Sequence, residues 1–197
     1  MTNNIFVPER FIRSITLHIV KNQSLSKEIE VPILMGIHGP SGEGKTYQCN
    51  SILKRIGSKV YTISGGELEN SQAGEPGRLI RNTYLNASNS ILRKECNTAV
   101  IMINDFDAGV GNWGEHVQYT VNRQTVFSTL MNIVDFPTTI EGYSTKRVPI
   151  IITGNDFTGL YEPLIRAGRM TAFLWKPSIN EKTTMLSNIF PRLSNEQ

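Results

Sequence analysis

The residues best suited to chemistry form a glycine-rich stretch that begins at Gly39 and ends with Lys45 and Thr46. The pattern G-x-x-x-x-G-K-T is typical of a phosphate-binding loop, in which glycines let backbone N–H groups approach the oxygens of a triphosphate. Lys45 would add a positive charge beside the β- and γ-phosphates, and the Thr46 hydroxyl could bind Mg²⁺. The candidate nucleotide-binding residues are Gly39, Pro40, Ser41, Gly42, Glu43, Gly44, Lys45 and Thr46. The loop predicts nucleotide binding but does not define the reaction.

Two carboxylates follow an apolar run farther along the chain. Asn104, Asp105 and Asp107 come directly after the run 99–103. In nucleotide hydrolases, a strand that ends in this way brings acidic side chains to Mg²⁺ and to the attacking water. Either Asp105 or Asp107 could serve, so both are candidate catalytic residues, and Asp105 is also a candidate metal ligand beside Thr46.

A polar amide and two arginines come later in the sequence. Asn155 follows the apolar run 149–153, where it could orient a water molecule or contact a γ-phosphate. Arg166 and Arg169 flank a glycine, and a guanidinium group can stabilise the charge that spreads over a phosphoryl group during transfer. Taken alone, such an asparagine is more often a turn residue and such arginines are more often surface charges. Their order after the phosphate loop favours the catalytic interpretation for all three.

The elements that must position these residues alternate along the chain. Short apolar runs that predict buried strands are separated by stretches with helical periodicity, and this alternation predicts an α/β fold with helices on both faces of a parallel sheet. The predicted strands are 33–38, 59–63, 99–103, 149–153 and 171–175, and the predicted helices are 45–56, 76–95, 116–134 and one that starts at Ser178. An amphipathic stretch around Phe11 predicts a helix before the first strand. The segments 65–77, 107–115 and 137–146 are predicted to be loops.

Composition and charge argue against several classes of partner. The net charge of +3, from 20 Lys and Arg against 17 Asp and Glu, is too small to favour nucleic acid or an anionic membrane. No apolar run approaches the roughly 20 residues that are needed to span a bilayer. Cys49 and Cys96 are isolated from each other and from any metal-ligand pattern. The N-terminal residues predict neither a secretory signal nor a transit peptide, so the sequence predicts a cytoplasmic-type protein.

The order of the motifs resembles that of the AAA+ ATPases, and several longer strings are similar to the Rubisco activase family within that group. Members of this family use ATP to release inhibitory sugar phosphates from Rubisco. The similar strings are 64–69, 73–76, 103–109, 118–122, 129–133, 148–157 and 160–170, within a region that runs from about Pro32 to Trp175. The chain is therefore identified as a relative of the Rubisco activases.

The resemblance implies a large AAA+ subdomain at 32–176 with the strand order 5-1-4-3-2, preceded by an N-terminal helix and linker at 1–31 and followed by a short helix and tail at 177–197. It implies ATP and Mg²⁺ as cofactors, with Arg166 and Arg169 acting on the nucleotide of a neighbouring subunit. The implied partners are the Rubisco large subunit and other subunits of a homo-oligomeric ring or of a mixed ring with a complete activase. The implied location is a cyanobacterial-type cytoplasm or the chloroplast stroma.

The resemblance also implies that the loops at 65–69 and 108–114 line a central pore, where Trp113 is a candidate contact with the substrate chain. Two family features are expected to be absent, namely the N-terminal Rubisco-interaction region of plant members and the C-terminal helical lid over the adenine. Asn104 and Asp105 replace the usual Asp-Glu pair of AAA+ ATPases, so the division of roles among Asn104, Asp105 and Asp107 stays open.

Two functions therefore remain open from the sequence. The first is an ATP-hydrolysing remodelling chaperone of the activase type. The alternative is a truncated, non-catalytic regulatory module that joins activase rings or binds Rubisco without turnover.

Overall fold

The computed structural model describes residues 6–24, 31–69, 72–110 and 117–190. The strands in these residues are β1 (Leu34–His38), β2 (Lys59–Ser64), β3 (Ala99–Asn104), β4 (Thr139–Ile140), β5 (Tyr143–Ser144), β6 (Ile150–Gly154) and β7 (Met170–Leu174). The main sheet has five strands in the order β2-β3-β6-β1-β7, and all of its neighbouring pairs are parallel. Read from its other edge, this is the predicted order 5-1-4-3-2, so the predicted sheet is confirmed.

The helices surround this sheet. They are α1 (Glu9–Ser24), α2 (Lys45–Arg55), α3 (Glu75–Leu92), α4 (Phe106–Val110), α5 (Val117–Asp135), α6 (Glu162–Ile165) and α7 (Ile179–Ile189), with a 3₁₀ turn at Gly65–Leu68. Ser178 begins α7 with a capping box, because its side chain accepts a hydrogen bond from the Glu181 N–H while the Glu181 carboxylate accepts one from the Ser178 N–H.

The central strands are apolar except near their carboxyl ends, as expected where both faces of the sheet are covered. Side chains alternate between the faces along a strand, so Leu34 of β1 packs in the cluster that α3 and α5 complete, whereas Met35 packs in the cluster of α1 and α2. Phe11 of α1 is fully buried and meets Trp175 edge-on at 4.7 Å between ring centroids. The amphipathic stretch before the first strand is therefore part of the core.

All three predicted loops contain regular structure. The segment 65–77 contains the 3₁₀ turn Gly65–Leu68 and the first residues of α3. The segment 107–115 was expected to be a loop, but its beginning belongs to α4, because Phe106 and Val110 are buried on the same helix face. The segment 137–146 contains the antiparallel pair β4–β5. Trp113 lies outside the described residues. Within the described part of the chain, no helix is both long enough and apolar enough to cross a bilayer.

Candidate nucleotide-binding site

The phosphate loop connects the end of β1 to the start of α2. Gly42 and Gly44 have φ values of +77° and +72°, a left-handed conformation that glycine adopts without steric cost. Gly39 lies so close to the chain after β7 that an added Cβ atom would be 2.0 Å from the Trp175 carbonyl oxygen. The glycines of the motif are therefore required by backbone geometry, and the loop leads into the positive end of the α2 dipole.

Lys45 is the first residue of α2, and its side chain turns back into the loop. The residue is 7% exposed. Its Nζ donates hydrogen bonds to the carbonyl oxygens of Gly39 (2.7 Å) and Pro40 (2.8 Å) and to Oδ1 of Asn155 (3.0 Å). Burial lowers the pKa of Lys45 from its usual value, and the nearby carboxylates of Asp107 and Asp105 act in the opposite direction. A cationic group is thus held inside the loop by oxygens alone.

The structure brings Asn155 and Lys45 together from positions that are 110 residues apart. Because Oδ1 of Asn155 accepts the Lys45 bond, its Nδ2 keeps both of its N–H donors for another ligand. The backbone N–H groups of Asn155 and Asp156 both donate to Oδ2 of Asp107, at 2.8 and 3.0 Å. The orientation of the Asn155 amide is therefore supported by its side chain and by its backbone.

Thr153 is a further candidate site residue, which the sequence reasoning missed. Its hydroxyl oxygen lies 3.4 Å from the Thr46 hydroxyl and 3.4 Å from Oδ1 of Asn104, and the residue is 1% exposed. The available signal was a single hydroxyl side chain near the end of an otherwise apolar strand. Thr153 connects the candidate metal ligand Thr46 to the end of β3.

The two acidic candidates have different surroundings. Asp105 is exposed and has a φ of +51°, in the left-handed region that aspartate tolerates better than most residues. Asp107 is partly buried, and its Oδ1 is buried without a hydrogen-bond partner in the described residues. Among those residues, no group of three or more His, Cys, Asp and Glu side chains could hold a metal ion. Because Asp105 is exposed and Asp107 is partly buried, Asp105 is the candidate carboxylate that solvent and ligands can reach more easily.

The two arginines are not brought to the phosphate loop of their own chain. Arg166 and Arg169 directly precede β7, whereas the phosphate loop follows β1, the parallel neighbour of β7. The arginines and the loop are therefore at opposite ends of paired strands, separated by about 16 Å of β7. Arg166 is exposed, but the side chain of Arg169 is 16% exposed and forms an ion pair with Asp135.

An apolar cavity of about 250 Å³ lies beside the phosphate loop, between α2, α7 and Phe6. Its apolar lining comes from Phe6, Tyr47, Met185, Leu186 and Ile189. Lys182 and Glu43 form an ion pair of 2.5 Å at this cavity. The cavity could hold a flat apolar group whose attached phosphates reach the loop.

A chain of contacts fixes α7 and α1 against the phosphate loop. Arg10 forms a two-point ion pair with Glu181 at 2.7 and 3.0 Å and lies 4.5 Å from the centroid of the Trp175 ring. Trp175 in turn donates its Nε1–H to the Glu43 carbonyl oxygen at 2.7 Å. The hydrogen bonds from Arg10 lower the pKa of Glu181 to about 2, so this carboxylate is ionised at neutral pH.

Comparison with known proteins agrees with this geometry. A family model described as "ATPase family associated with various cellular activities (AAA)" matches residues 35–178, a region that contains the phosphate loop, the acidic turn, Asn155 and both arginines. The chain belongs to the AAA family. The α/β sheet and its strand order are thus those of an AAA large subdomain.

Curated relatives of this AAA chain are ribulose bisphosphate carboxylase/oxygenase activases. The chain is 46% identical over 191 residues to the activase of Anabaena sp. strain CA, which covers 94% of the chain. It is 43% identical to the chloroplastic activases of Cucumis sativus and Chlamydomonas reinhardtii, each of which covers 95% of the chain. The match spans 46%, 47% and 48% of these relatives, respectively, so the chain corresponds to about half of their length.

Proposed function

We propose that this AAA chain binds ATP with Mg²⁺ and hydrolyses it as one subunit of an activase-type ring that acts on Rubisco. The observation that carries the proposal is the buried Lys45 ammonium group, held 3.0 Å from Asn155 at the start of α2. The cation lies at a helix N-terminus, and the amide that it contacts keeps its N–H donors for a ligand, a combination that suits a triphosphate.

The described residues fit a nucleotide rather than inorganic phosphate alone. The apolar cavity beside the loop would take the base, and Lys182 and Glu43 would lie next to the ribose or the base edge. The choice of adenine is supported by the AAA family match and by the activase relatives.

Roles for the polar residues follow from their exposure and contacts. Mg²⁺ is usually held by one or two protein side chains together with substrate phosphates, and the Thr46 hydroxyl and Asp105 are the side chains proposed here. The bound magnesium–ATP complex supplies the phosphoryl group that water attacks. Asp105 would orient that water, and the free Nδ2 of Asn155 would hydrogen-bond to the γ-phosphate.

The arginines are proposed to act between subunits. Arg166 and Arg169 lie at the opposite end of the sheet from their own loop, so in a head-to-tail ring this end would face the nucleotide of the next subunit. Arg166 is exposed and would reach that nucleotide directly, whereas Arg169 would do so only after leaving its ion pair with Asp135. A guanidinium group supplied in this way would stabilise the charge of the transferring phosphoryl group.

Rubisco is proposed as the target because the curated relatives are named as its activases. The work of the ring would be to release inhibitory sugar phosphates from Rubisco, either as a homo-oligomer or mixed with a complete activase. The proposed location is the cytoplasm or the chloroplast stroma, where such a ring would meet Rubisco.

The experiment that tests the function is steady-state ATP hydrolysis as a function of protein concentration, with Arg166→Ala in parallel. A shared site predicts that the rate per subunit rises with concentration and is lost in the variant. Nucleotide binding without turnover, even after mixing with a complete activase, would contradict hydrolysis and favour the non-catalytic module. Where turnover is found, release of inhibitor from Rubisco is the next assay.

A further inference from the structure

A second cavity, of about 530 Å³, lies between α1 and the edge strand β7. Its volume is within the roughly 300–1,000 Å³ that is typical of small-molecule sites. One wall is a single stripe of α1, because its residues recur at helical spacings of three and four. They are Ser14, Leu17, His18 and Lys21. The cavity adjoins Met35 in the first half of β1, whereas the phosphate loop follows the end of that strand, so the two sites are separate.

The rest of the lining is mostly apolar. Its residues are Val31, Pro32, Met35, Ala172 and Phe173, together with the hydroxyl-bearing Thr171. The Phe173 ring is fixed in place, because it packs edge-on against the buried ring of Phe11 at 5.4 Å between centroids. An apolar group in this cavity would be removed from water, which favours its binding.

His18 gives the cavity a buried polar group. The residue is 5% exposed, and its Nε2 is buried with no hydrogen-bond partner in the part of the chain that the structure describes. Burial lowers the pKa of His18 to about 4, although the carbonyl groups of Ile150 and Ile33 act in the opposite direction. The imidazole is therefore neutral at pH 7 and carries one N–H donor. A buried polar atom without a partner costs free energy, and a ligand oxygen at this ring would reduce that cost.

The charges around His18 are positive. Lys21 is exposed on the same stripe of α1, three residues from His18. Arg147 lies behind the cavity wall, where it donates hydrogen bonds to the Val31 carbonyl oxygen and, at 2.8 Å, to Oδ1 of Asn22. Both cations act on the His18 ring, and no acidic side chain of the described residues lines the cavity. This end of the cavity therefore favours an anion, and a single lining cation suits one negative charge better than two.

We propose that this cavity binds a small amphipathic carboxylic acid, with its carboxylate at Lys21 and His18 and its apolar body against Met35 and Phe173. The carboxylate oxygens would accept hydrogen bonds from the Lys21 ammonium group and from the imidazole N–H. The site requires no nucleotide, so the inference is independent of the proposed function.

The test is calorimetric titration of the full chain with octanoate, octanamide and inorganic phosphate. Octanoate and octanamide have the same hydrocarbon tail and differ in charge. Octanoate should saturate one site per chain and bind several-fold more tightly than octanamide, and inorganic phosphate should neither bind nor compete. Equal affinity for octanoate and octanamide would overturn the role of the carboxylate. Competition by phosphate would indicate a simple anion site and would overturn the amphipathic ligand.

Lys21→Gln tests the charged end of the cavity. This variant should lose the preference for octanoate over octanamide and should still bind both. Arg13→Gln is the matched control, because Arg13 is exposed on the same helix and does not line the cavity. An equal loss of preference in both variants would indicate a general charge effect and would overturn the assignment of Lys21.

Leu17→Glu tests the apolar part, and Val20→Glu is its control on the same helix. Leu17 and Val20 are 43% and 48% exposed, so both variants should keep the Tm and the ATP affinity of the parent, but only Leu17 lines the cavity. Leu17→Glu should lose both octanoate and octanamide, whereas Val20→Glu should bind them as the parent does. Unchanged octanoate binding in Leu17→Glu would overturn the site. A chain that binds octanoate as expected but no ATP would overturn only the proposed function.

Discussion

Arg169 and Asp135 form a two-point ion pair, with Nε and Nη2 of the arginine 2.9 and 2.8 Å from the two carboxylate oxygens. The remaining Nη1 donates to the Pro163 carbonyl oxygen at 2.9 Å. Arg166, three residues earlier, is exposed, and its side chain has no hydrogen bond or ion pair to any other residue that the structure describes. Within one subunit, Arg169 therefore joins the start of β7 to the end of α5, whereas Arg166 is available to a neighbour.

This difference predicts that substitutions of the two arginines have different effects on thermal stability. Arg169→Ala should lower the free energy of unfolding by about 1 kcal/mol, because it removes a largely buried partner from Asp135. For a chain of this size, that loss corresponds to about 2–4 °C in Tm. Arg166→Ala should leave Tm unchanged. Equal effects of the two variants on Tm would contradict the distinction.

Lys45 should dominate the affinity for the phosphates. Lys45→Ala removes a buried ammonium group, and the loss of its charge-assisted hydrogen bonds should cost about 2 kcal/mol, or roughly 30-fold in Kd for ATP. Calorimetric titration with ATP checks this value. Lys54→Ala is the matched control, because Lys54 is exposed in the last turn of the same helix. A similar loss in both variants would indicate a general charge effect.

The sequence predicted those parts of the site that depend on local patterns. A phosphate loop needs glycines and a lysine at fixed spacing, so Gly39 and Lys45 could be predicted from the sequence directly, and the strand order followed from the family resemblance. The contacts of Arg169 with Asp135 and of Trp175 with Glu43 join residues 34 and 132 positions apart. No spacing rule encodes such pairs, because they depend on how the helices pack against the finished sheet.

The contact between Thr153 and Thr46 likewise joins residues that are distant in the sequence, so no local pattern predicted it. Because Thr153 lies 3.4 Å from the Thr46 hydroxyl, Thr153→Val should weaken the Mg²⁺-dependent part of ATP affinity several-fold. Valine matches threonine in shape but has no hydroxyl group, and Thr153→Ser restores that group. ATP titrations with Mg²⁺ and with EDTA measure the effect. If serine and valine behave alike, the hydroxyl has no role in holding Thr46.

If the apolar cavity beside the phosphate loop binds the base, a substitution in its lining should weaken ATP binding without weakening the binding of the phosphates alone. Leu186→Glu places a charge in the lining, and Leu186 is 56% exposed, so the fold should tolerate the change. Affinity for ATP should fall about tenfold, which corresponds to the loss of one modest apolar contact. Affinity for inorganic triphosphate should not change.

The control for the cavity is Ile179→Glu on the same helix. Ile179 is 82% exposed and does not line the cavity. This variant should bind ATP and triphosphate as the parent does. If ATP affinity falls equally in both variants, the cause is the added negative charge near the loop, and the base lies elsewhere.

His18 should make stability depend on pH. The residue is 5% exposed, and burial lowers its pKa to about 4. Between pH 6.5 and pH 4, the imidazole is mostly protonated in the unfolded chain but mostly neutral in the folded chain. The free energy of unfolding should therefore decrease as the pH falls, by roughly 2 kcal/mol between pH 6.5 and pH 5. Above about pH 7.5, where the unfolded chain has also lost this proton, His18 should contribute almost no pH dependence.

Urea unfolding at several pH values from 7 to 5 measures this decrease, and the interval lies above the range in which most carboxylates titrate. His18→Gln has no titrating group at this position, so its stability should be nearly constant over the same interval. His38→Gln keeps His18 and should retain the part of the profile that His18 causes. A parallel decrease in wild type and His18→Gln would assign the pH dependence to other groups, and the buried imidazole would then have to be protonated in the folded chain.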